Sequence, residues 1–328
     1  MKGFGIDPHQ IKKNIEKTSS QRIQIINLAI NLHSQGKIKE AKKYYQYCID
    51  KGFNDHKIFS NFAIILQSEG KFKEAEISYR KVTQINPNLI EGHLNLGNIL
   101  RILGKFKEAE ISYRKAIQLN PNFAEAYLNL SNILRSQGKL KEAESSILKA
   151  IKLNPNFAEA HLNLGNILLE LEDFHNAESS TQKAIRLNPN FAEAYLNLGN
   201  ILQNLGNFKE AEISYRKAIQ LNPKFTEAHL NLGKLLKNLG KLKEAESSIL
   251  KSIQFNPNLP ESHSTMGSIL ISLGQFKEAE LSLLKATELN PKLYKAYYSL
   301  SILNASNQIT NWKDKLFSEK ILKNSSQK

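Results

Sequence analysis

Cysteine is almost absent: the single thiol, Cys48, has no partner for an internal disulfide and cannot build a thiolate metal site. Tryptophan occurs once and methionine twice, and only seven of the 45 cationic residues are arginine. No stretch approaches the ~18 uninterrupted apolar residues of a membrane-spanning helix. The opening MKGFGIDPHQIKKN has no apolar core of a secretory leader. These absences point to a soluble protein of a reducing, cytoplasmic compartment. Hydrophobic residues make up 41% of the chain, an ordinary share for a folded protein, so wholesale disorder is not expected.

The formal net charge of +14 invites a nucleic-acid reading. The cations, however, are overwhelmingly lysine and come with an excess of asparagine and isoleucine. Codon drift in an AT-rich genome yields that skew without any phosphate-binding role, and nucleic acid is therefore not the expected partner.

The organising feature is a period. Prolines stand at 87, 121, 155, 189, 223, 257 and 291, and alanines at 41, 75, 109, 143, 177, 211, 245 and 279, each 34 residues after the last. Eight units follow: 22–55, 56–89, 90–123, 124–157, 158–191, 192–225, 226–259 and 260–293. Residues 1–21 form a polar, basic lead-in, read as a flexible segment or a short capping helix. Tyr294 to about Ser306 looks like one further, capping helix, and 294–328 closes the chain. Each unit reads as two antiparallel helices. In 90–123, unit positions 4, 7, 8 and 11 (His93, Leu96, Gly97, Leu100) fall on one face by the i, i+3, i+4, i+7 rule. Gly104 ends the first helix. The second is expected to bury Phe106, Ala109, Tyr113 and Ala116, and Asn120-Pro121 ends it. Small residues at position 8 (Gly97, Gly165, Gly199, Gly233 and Gly267, with Ala29, Ala63 and Ser131) mark where the two helices must touch.

Positions 4, 7, 8, 11, 20, 24, 27 and 32, for instance Tyr195, Leu198, Gly199, Leu202, Ala211, Tyr215, Ala218 and Pro223, resemble the tetratricopeptide-repeat family over residues 22–293. The departures are local: Phe53 replaces the proline of the first unit, and Glu172 the inter-helix glycine of the fifth. The resemblance implies an all-α solenoid, a right-handed superhelix of eight helix pairs whose first helices line a concave groove. Such arrays bury apolar surface only between neighbours and need capped ends. At the C-terminal end, Ile309, Trp312, Leu316 and Phe317 offer apolar surface for packing on the last unit or for the start of something further.

No catalytic, cofactor or metal site is expected. Four histidines, His93, His161, His229 and His263, occupy position 4 in alternation with Tyr127 and Tyr195, which marks a large packing site with a polar edge. A full repeat apart, they cannot converge on one ion. No phosphate-binding glycine loop or nucleophile elbow occurs. Cys48 replaces the alanine of position 27 and reads as a small buried residue.

Asparagine is the informative column. Position 6 is Asn27, Asn61, Asn95, Asn129, Asn163, Asn197 and Asn231 in seven of eight units, and position 9 adds Asn98, Asn132, Asn166 and Asn200. Positions 2, 6, 9 and 13 form a stripe separate from the packed face, directed into the expected groove. A carboxamide offers donor and acceptor together and can pair with both groups of a peptide unit. The column resembles the asparagine ladder of the O-linked N-acetylglucosamine transferases, and that resemblance implies a surface holding extended polypeptide. The middle units are so alike that their asparagines count for little more than one observation, but the diverged first two units keep Asn27 and Asn61. Seven contacts at ~1 kcal/mol net, less ~2–5 kcal/mol for ordering a peptide, amount to millimolar binding or weaker. Leu94, Leu128, Leu162, Leu196 and Leu230 at position 5 are candidate pockets for extra affinity.

Position 2 is Glu91, Glu125, Glu159, Glu193, Glu227 and Glu261, and Asn88, Asn122, Asn156, Asn190 and Asn258 precede five of them (Glu91, Glu125, Glu159, Glu193 and Glu261) by three residues, the spacing of a helix capping box. Lysines and arginines at positions 16, 18, 25 and 26, such as Lys105, Lys107, Arg114 and Lys115, are expected to face solvent around the second helices. Glu and Asn at positions 2 and 6 argue against the carboxylate clamp of chaperone-binding members of the family. The leading expectation is a non-catalytic scaffold for a protein or peptide. Two rivals stay open: the substrate-recruiting arm of a transferase, glycosyltransferase- or sulfotransferase-like, and nonspecific RNA binding. Oligomeric state is not legible.

Overall fold

A computed structural model describes residues 8–305, with side chains over 20–303. The described residues form seventeen helices and no strand. The chain divides at Pro155 into two compact units. The first carries α1 (Pro8–Ser34), α2 (Ile38–Asp50), α3 (His56–Ser68), α4 (Phe72–Ile85), α5 (Ile90–Ile102), α6 (Phe106–Leu119), α7 (Ala124–Ser136) and α8 (Leu140–Leu153). The second carries α9 (Ala158–Glu170), α10 (Phe174–Leu187), α11 (Ala192–Asn204), α12 (Phe208–Leu221), α13 (Thr226–Asn238), α14 (Leu242–Phe255), α15 (Pro260–Ser272), α16 (Phe276–Leu289) and α17 (Tyr294–Ala305). Within each unit odd and even helices alternate as antiparallel pairs, and each pair packs on the next: an α-solenoid. The α1 helix is continuous from Pro8 to Ser34 and supplies the first helix of the first pair. At the other end α17 packs on α15 and α16 through Ala296, Leu300 and Leu303, all buried. The apolar positions 309, 312, 316 and 317 lie outside the described residues.

Helix pairing follows from a size exchange between positions 8 and 24. A methyl group added to Gly97 or Gly199 would stand 2.5 Å from the Cε1 of Tyr113 or Tyr215, and one on Gly233 2.5 Å from the Cδ1 of Ile249. The glycine is the hollow into which the next helix seats its largest side chain. Tyr113, Tyr215 and Ile249 are almost fully buried in this way, and each such burial contributes ~1.5–3 kcal/mol. Ala109, Ala143, Ala211 and Ala245 are buried completely at the helix crossing. Phe106, expected in the core, is 37% exposed. It is the first residue of α6, where the helix has not yet come over its neighbour.

Turns use two chemistries. Within a pair, Gly104 at φ 72° lets Lys105 N–H donate to Leu100 O and Gly104 N–H to Arg101 O, which satisfies two carbonyls left over at the helix end. In the fifth pair Glu172 holds the same left-handed conformation at φ 61°. Between pairs, Asn120 caps α6 in an extended conformation dictated by Pro121. Its Oδ1 accepts from Asn122 N–H at 3.0 Å, and the same arrangement recurs at Asn86, Asn188, Asn222, Asn256 and Asn290. This corrects the capping box. The residues that cap α5, α7, α9, α11, α13 and α15 are Leu89, Phe123, Phe157, Phe191, Phe225 and Leu259, without a side-chain hydrogen bond. Asn88 and its equivalents stand one residue too early, and Glu91 falls at the second helical residue, where only the dipole argument for an acid survives.

Candidate functional site

On the odd helices, positions 2, 6, 9 and 13 lie on the face left open. In the first unit Asn27 is exposed and Asn61, Asn95 and Asn129 are half-buried; in the second, Asn163 and Asn231 are half-buried and Asn197 is buried. The asparagines at position 9, Asn98, Asn132, Asn166 and Asn200, are all half-buried. The amides are not independent of one another. Asn129 Nδ2 donates to Asn98 Oδ1 at 3.3 Å, and Asn231 Nδ2 to Asn200 Oδ1 at 2.9 Å. Position 6 of one repeat thus reaches back to position 9 of the repeat before. Tyr113 OH donates to Asn98 Oδ1 at 2.8 Å, and Tyr215 OH to Asn200 Oδ1 at 2.9 Å and Gln203 Oε1 at 3.1 Å. Both lone pairs of the Asn98 and Asn200 carbonyls are thereby filled, and their Nδ2 groups remain as donors. Asn129 and Asn231 keep one N–H and the carbonyl.

Three positions depart from this pattern. Asn61 and Asn95 face Ile30 and Ile64 at position 9, and no amide pair forms there. Asn197 turns inward, donating to Thr181 Oγ1 at 3.1 Å with only 4% of its surface exposed. Thr181 stands at position 24, where Tyr113 and Tyr215 fill the space in their repeats; the shorter side chain leaves a hollow that the Asn197 amide enters. The leucines at position 5 are corrected as well. Leu94, Leu128, Leu162 and Leu230 are buried and Leu196 half-buried, so they belong to the packing between helices and not to pockets on the open face.

The position-4 histidines carry structural bonds. Nε2 of His93, His229 and His263 lies 2.8, 3.0 and 2.8 Å from the carbonyl oxygens of Pro87, Pro223 and Pro257. The carbonyl only accepts, so each ring carries its proton on Nε2. Among the described residues no three His, Cys, Asp or Glu side chains come together to hold a metal ion, and no helix is long and apolar enough to cross a membrane. Cys48 is fully buried, and burial pushes its thiol pKa up.

Part of the positive charge is internally matched along the even helices. Arg114 pairs with Glu110 in its own helix and with Glu142 of the next repeat, while Lys139 of that repeat reaches back to Glu110. Arg216, Glu212, Glu244 and Lys241 repeat the motif, as do Arg80, Glu76, Glu108 and Lys105. Burial raises the pKa of Glu76 and Glu110, but hydrogen bonds from the lysine and arginine outweigh it and hold both below the usual range. In Glu212 the hydrogen bond from Lys241 leads and the outcome is the same. Of the cations expected to face solvent, Lys105 and Arg114 thus also tie repeat to repeat, while Lys107 is exposed and Lys115 bonds to Gln118 within α6.

The second unit also holds a feature absent from the asparagine pattern. A cavity of about 710 Å³ opens between α13, α15 and α17, lined among others by Lys234, Lys237, Lys292, Lys295, Glu261 and Tyr294. The signal in the sequence was the break in the position-9 column, where Lys234 replaces asparagine.

Models of the tetratricopeptide repeat match residues 90–123, 158–191 and 192–225, 112–145 and 214–247, 56–89 and 260–293, and a TPR repeat model matches 131–171. Together they span well over half of the chain. It is a tetratricopeptide-repeat protein. No curated protein matches it. Among solved structures, a chain of the APC/C hetero-tetramer Cut9–Hcn1 is similar with a TM-score of 0.65 and 16% identity, over 84% of this tetratricopeptide-repeat chain and 54% of that one. Pseudomonas aeruginosa pilF is similar with a TM-score of 0.56 and 22% identity, over 65% and 97%. These likenesses establish a shared fold. YrrB, described as a TPR protein with an unusual peptide-binding site, is 28% identical over 58% of this chain and 97% of its own, at a TM-score of 0.46.

Proposed function

We propose that this chain is a non-catalytic scaffold that holds extended polypeptide on the open faces of its odd helices. The observation that carries the reading is the amide pairing of Asn98 with Asn129 and of Asn200 with Asn231. Each pair is anchored from below by a tyrosine hydroxyl, which fixes the orientation of the amides and leaves their unused donors and acceptors on the half-exposed surface. Preoriented amides lose little freedom when a peptide arrives, and they offer what a peptide backbone needs: donors for C=O and an acceptor for N–H. Such contacts read the backbone and are indifferent to most side chains.

Nucleic acid is the weaker reading. Arg114 and Arg216 of the even helices and Lys139 and Lys241 of the turns before them are engaged with glutamates, and the open faces carry glutamate at position 2 in six repeats. A phosphate backbone following those faces would be repelled.

The test is fluorescence anisotropy with a labelled, uncharged peptide and its backbone N-methylated counterpart. Binding of the first and loss of binding by the second is expected. The variant Asn98→Ala/Asn129→Ala/Asn200→Ala/Asn231→Ala, shown to be folded by circular dichroism, is expected to lose the peptide. Equal affinity for both peptides, or an unaffected variant, rules the reading out.

A further inference from the structure

Amide contacts alone reach only about millimolar strength, and the position-5 leucines are taken up by packing between helices. The second unit contains a group of side chains suited to raise that affinity. Lys234 and Lys237 lie one turn apart on α13, Lys292 in the turn before α17, and Lys295 in its first turn, all lining the cavity of about 710 Å³. Glu261 of α15 is the one acid lining it, so four ammonium groups meet one carboxylate. None of the four makes a hydrogen bond or ion pair through its ammonium with any described residue, in contrast to Lys105, Lys139 and Lys241, each within 3.1 Å of a glutamate oxygen. Burial lowers the pKa of Lys234; Glu261 raises it, and Lys295 and Lys237 lower it again. A cation in those surroundings is one that an added anion would stabilise.

The neighbouring surface continues the same chemistry. Lys234 and Gln203 also line a smaller cavity of about 230 Å³ together with Asn200, Asn204, Tyr215 and Asn231. Tyr215 donates to the side-chain oxygens of both Asn200 and Gln203, which leaves their NH₂ groups as the available donors. The open face of the second unit thus runs from a paired amide, through amide donors, to a cluster of ammonium groups.

We infer that the cavity between α13, α15 and α17 is an anchor for oxyanion-bearing side chains of a bound polypeptide, so that the preferred segments carry clustered acidic residues. The inference rests on the reading of the odd-helix faces as the polypeptide-binding surface, and it adds to it a chemical preference and a polarity of binding. Carboxylates of Asp and Glu and the phosphate of a phosphorylated serine share the required chemistry. A nucleic acid fits less well, because Glu193 in the first turn of the adjoining α11 and Glu227 in the first turn of α13 itself confine the positive region to one end. A peptide with one acidic stretch satisfies that arrangement, and a uniformly charged polyanion does not.

The experiment measures anisotropy at ~0.15 M salt, where long-range attraction is screened beyond about 8 Å. The probes are three labelled peptides of equal length: one uncharged, one with consecutive glutamates, one with phosphoserine in place of the glutamates. A labelled oligouridylate is the fourth probe. The site variant is Lys234→Gln/Lys237→Gln/Lys292→Gln/Lys295→Gln. Its charge-matched control is Lys73→Gln/Lys107→Gln/Lys209→Gln/Lys277→Gln, all exposed residues of even helices. The acidic peptides are expected to bind the wild type at least about tenfold tighter than the uncharged one. The site variant is expected to lose that preference and the control variant to keep it. Whichever of the two acidic peptides binds tighter identifies the source of the oxyanion. Equal affinity for acidic and uncharged peptides overturns the inference, as does an equal loss in both variants, which would mean general attraction to a basic protein. Tighter binding of the oligouridylate, lost in the site variant, overturns it in favour of nucleic acid. Binding of the uncharged peptide, lost or kept in the asparagine variant, decides the scaffold reading separately.

Discussion

The hydroxyl of Tyr113 donates to Oδ1 of Asn98 across 2.8 Å, from the core of a helix pair to its open face. The same ring fills the hollow at Gly97. One side chain therefore serves both the packing of the repeat and the orientation of a surface amide. Tyr113→Phe keeps the ring and removes the bond. The expected cost is ~1 kcal/mol of stability, read as a lower urea midpoint, together with weaker binding of uncharged peptide. Unchanged peptide affinity would separate the amide's orientation from binding.

Burial pushes the phenol pKa of Tyr45, Tyr79 and Tyr113 up to about 12, with Cys48 adding to the effect at Tyr45, and pushes that of Tyr215 higher still. An unfolded chain ionises its tyrosines near 10, so above that pH the unfolded state releases protons that the folded state keeps. Stability is fully present below about pH 10 and is lost as pH rises through about 12. In an alkaline titration the share of tyrosinate absorbance that comes from these four buried rings, read as the difference from their Phe variants, is expected to rise together with loss of helical circular dichroism, not before it.

Glu76, Glu110 and Glu212 titrate below the usual carboxylate value because lysine and arginine hold them ionised against the effect of burial. Their contribution is present above the unfolded carboxylate range and is lost as pH falls through the lowered folded values. Glu110→Gln is expected to destabilise by about 1 kcal/mol in low salt and by less in concentrated salt, since the cations around it are half-exposed. Thermal melts at two ionic strengths measure the difference.

Glu172 keeps a left-handed backbone at φ 61° where its counterparts are glycine. A side chain there costs ~1–2 kcal/mol, and glycine gives back ~0.5–1 kcal/mol through the freedom of the unfolded chain. Glu172→Gly is expected to raise stability by up to about 1 kcal/mol, read in the denaturation midpoint. A decrease would show that the Glu172 side chain makes compensating contacts.

Several local expectations changed when three-dimensional neighbours entered. Phe106 has the spacing of a core residue yet sits at a helix end that its partner helix does not cover. Asn88 has the spacing of a cap, but the extended conformation before Pro87 moves the turn so that Leu89 takes the capping place. Leu94 alternates with asparagine on the odd helix and is buried by the neighbouring repeat. In each case the helical period was right and the position of a neighbouring helix decided the outcome.

The 34-residue period, the glycine that ends one helix and the proline that ends the other are one-dimensional properties, and they were enough to specify an all-α array of helix pairs. The size exchange between positions 8 and 24 was half visible: the small residues were legible, while the side chain each receives depends on how the second helix folds back. The amide pairing was not legible at all. Asn98 and Asn129 lie 31 residues apart, and whether their side chains meet is decided by the rise and rotation between repeats and by the tyrosine that orients one of them. Asn197 has the same place in the column and turns inward because Thr181 leaves it room. The lysine cluster likewise draws on α13, α17 and the turn before α17, with Glu261 of α15 between them, and only packing brings charges so distant in the chain to a single cavity.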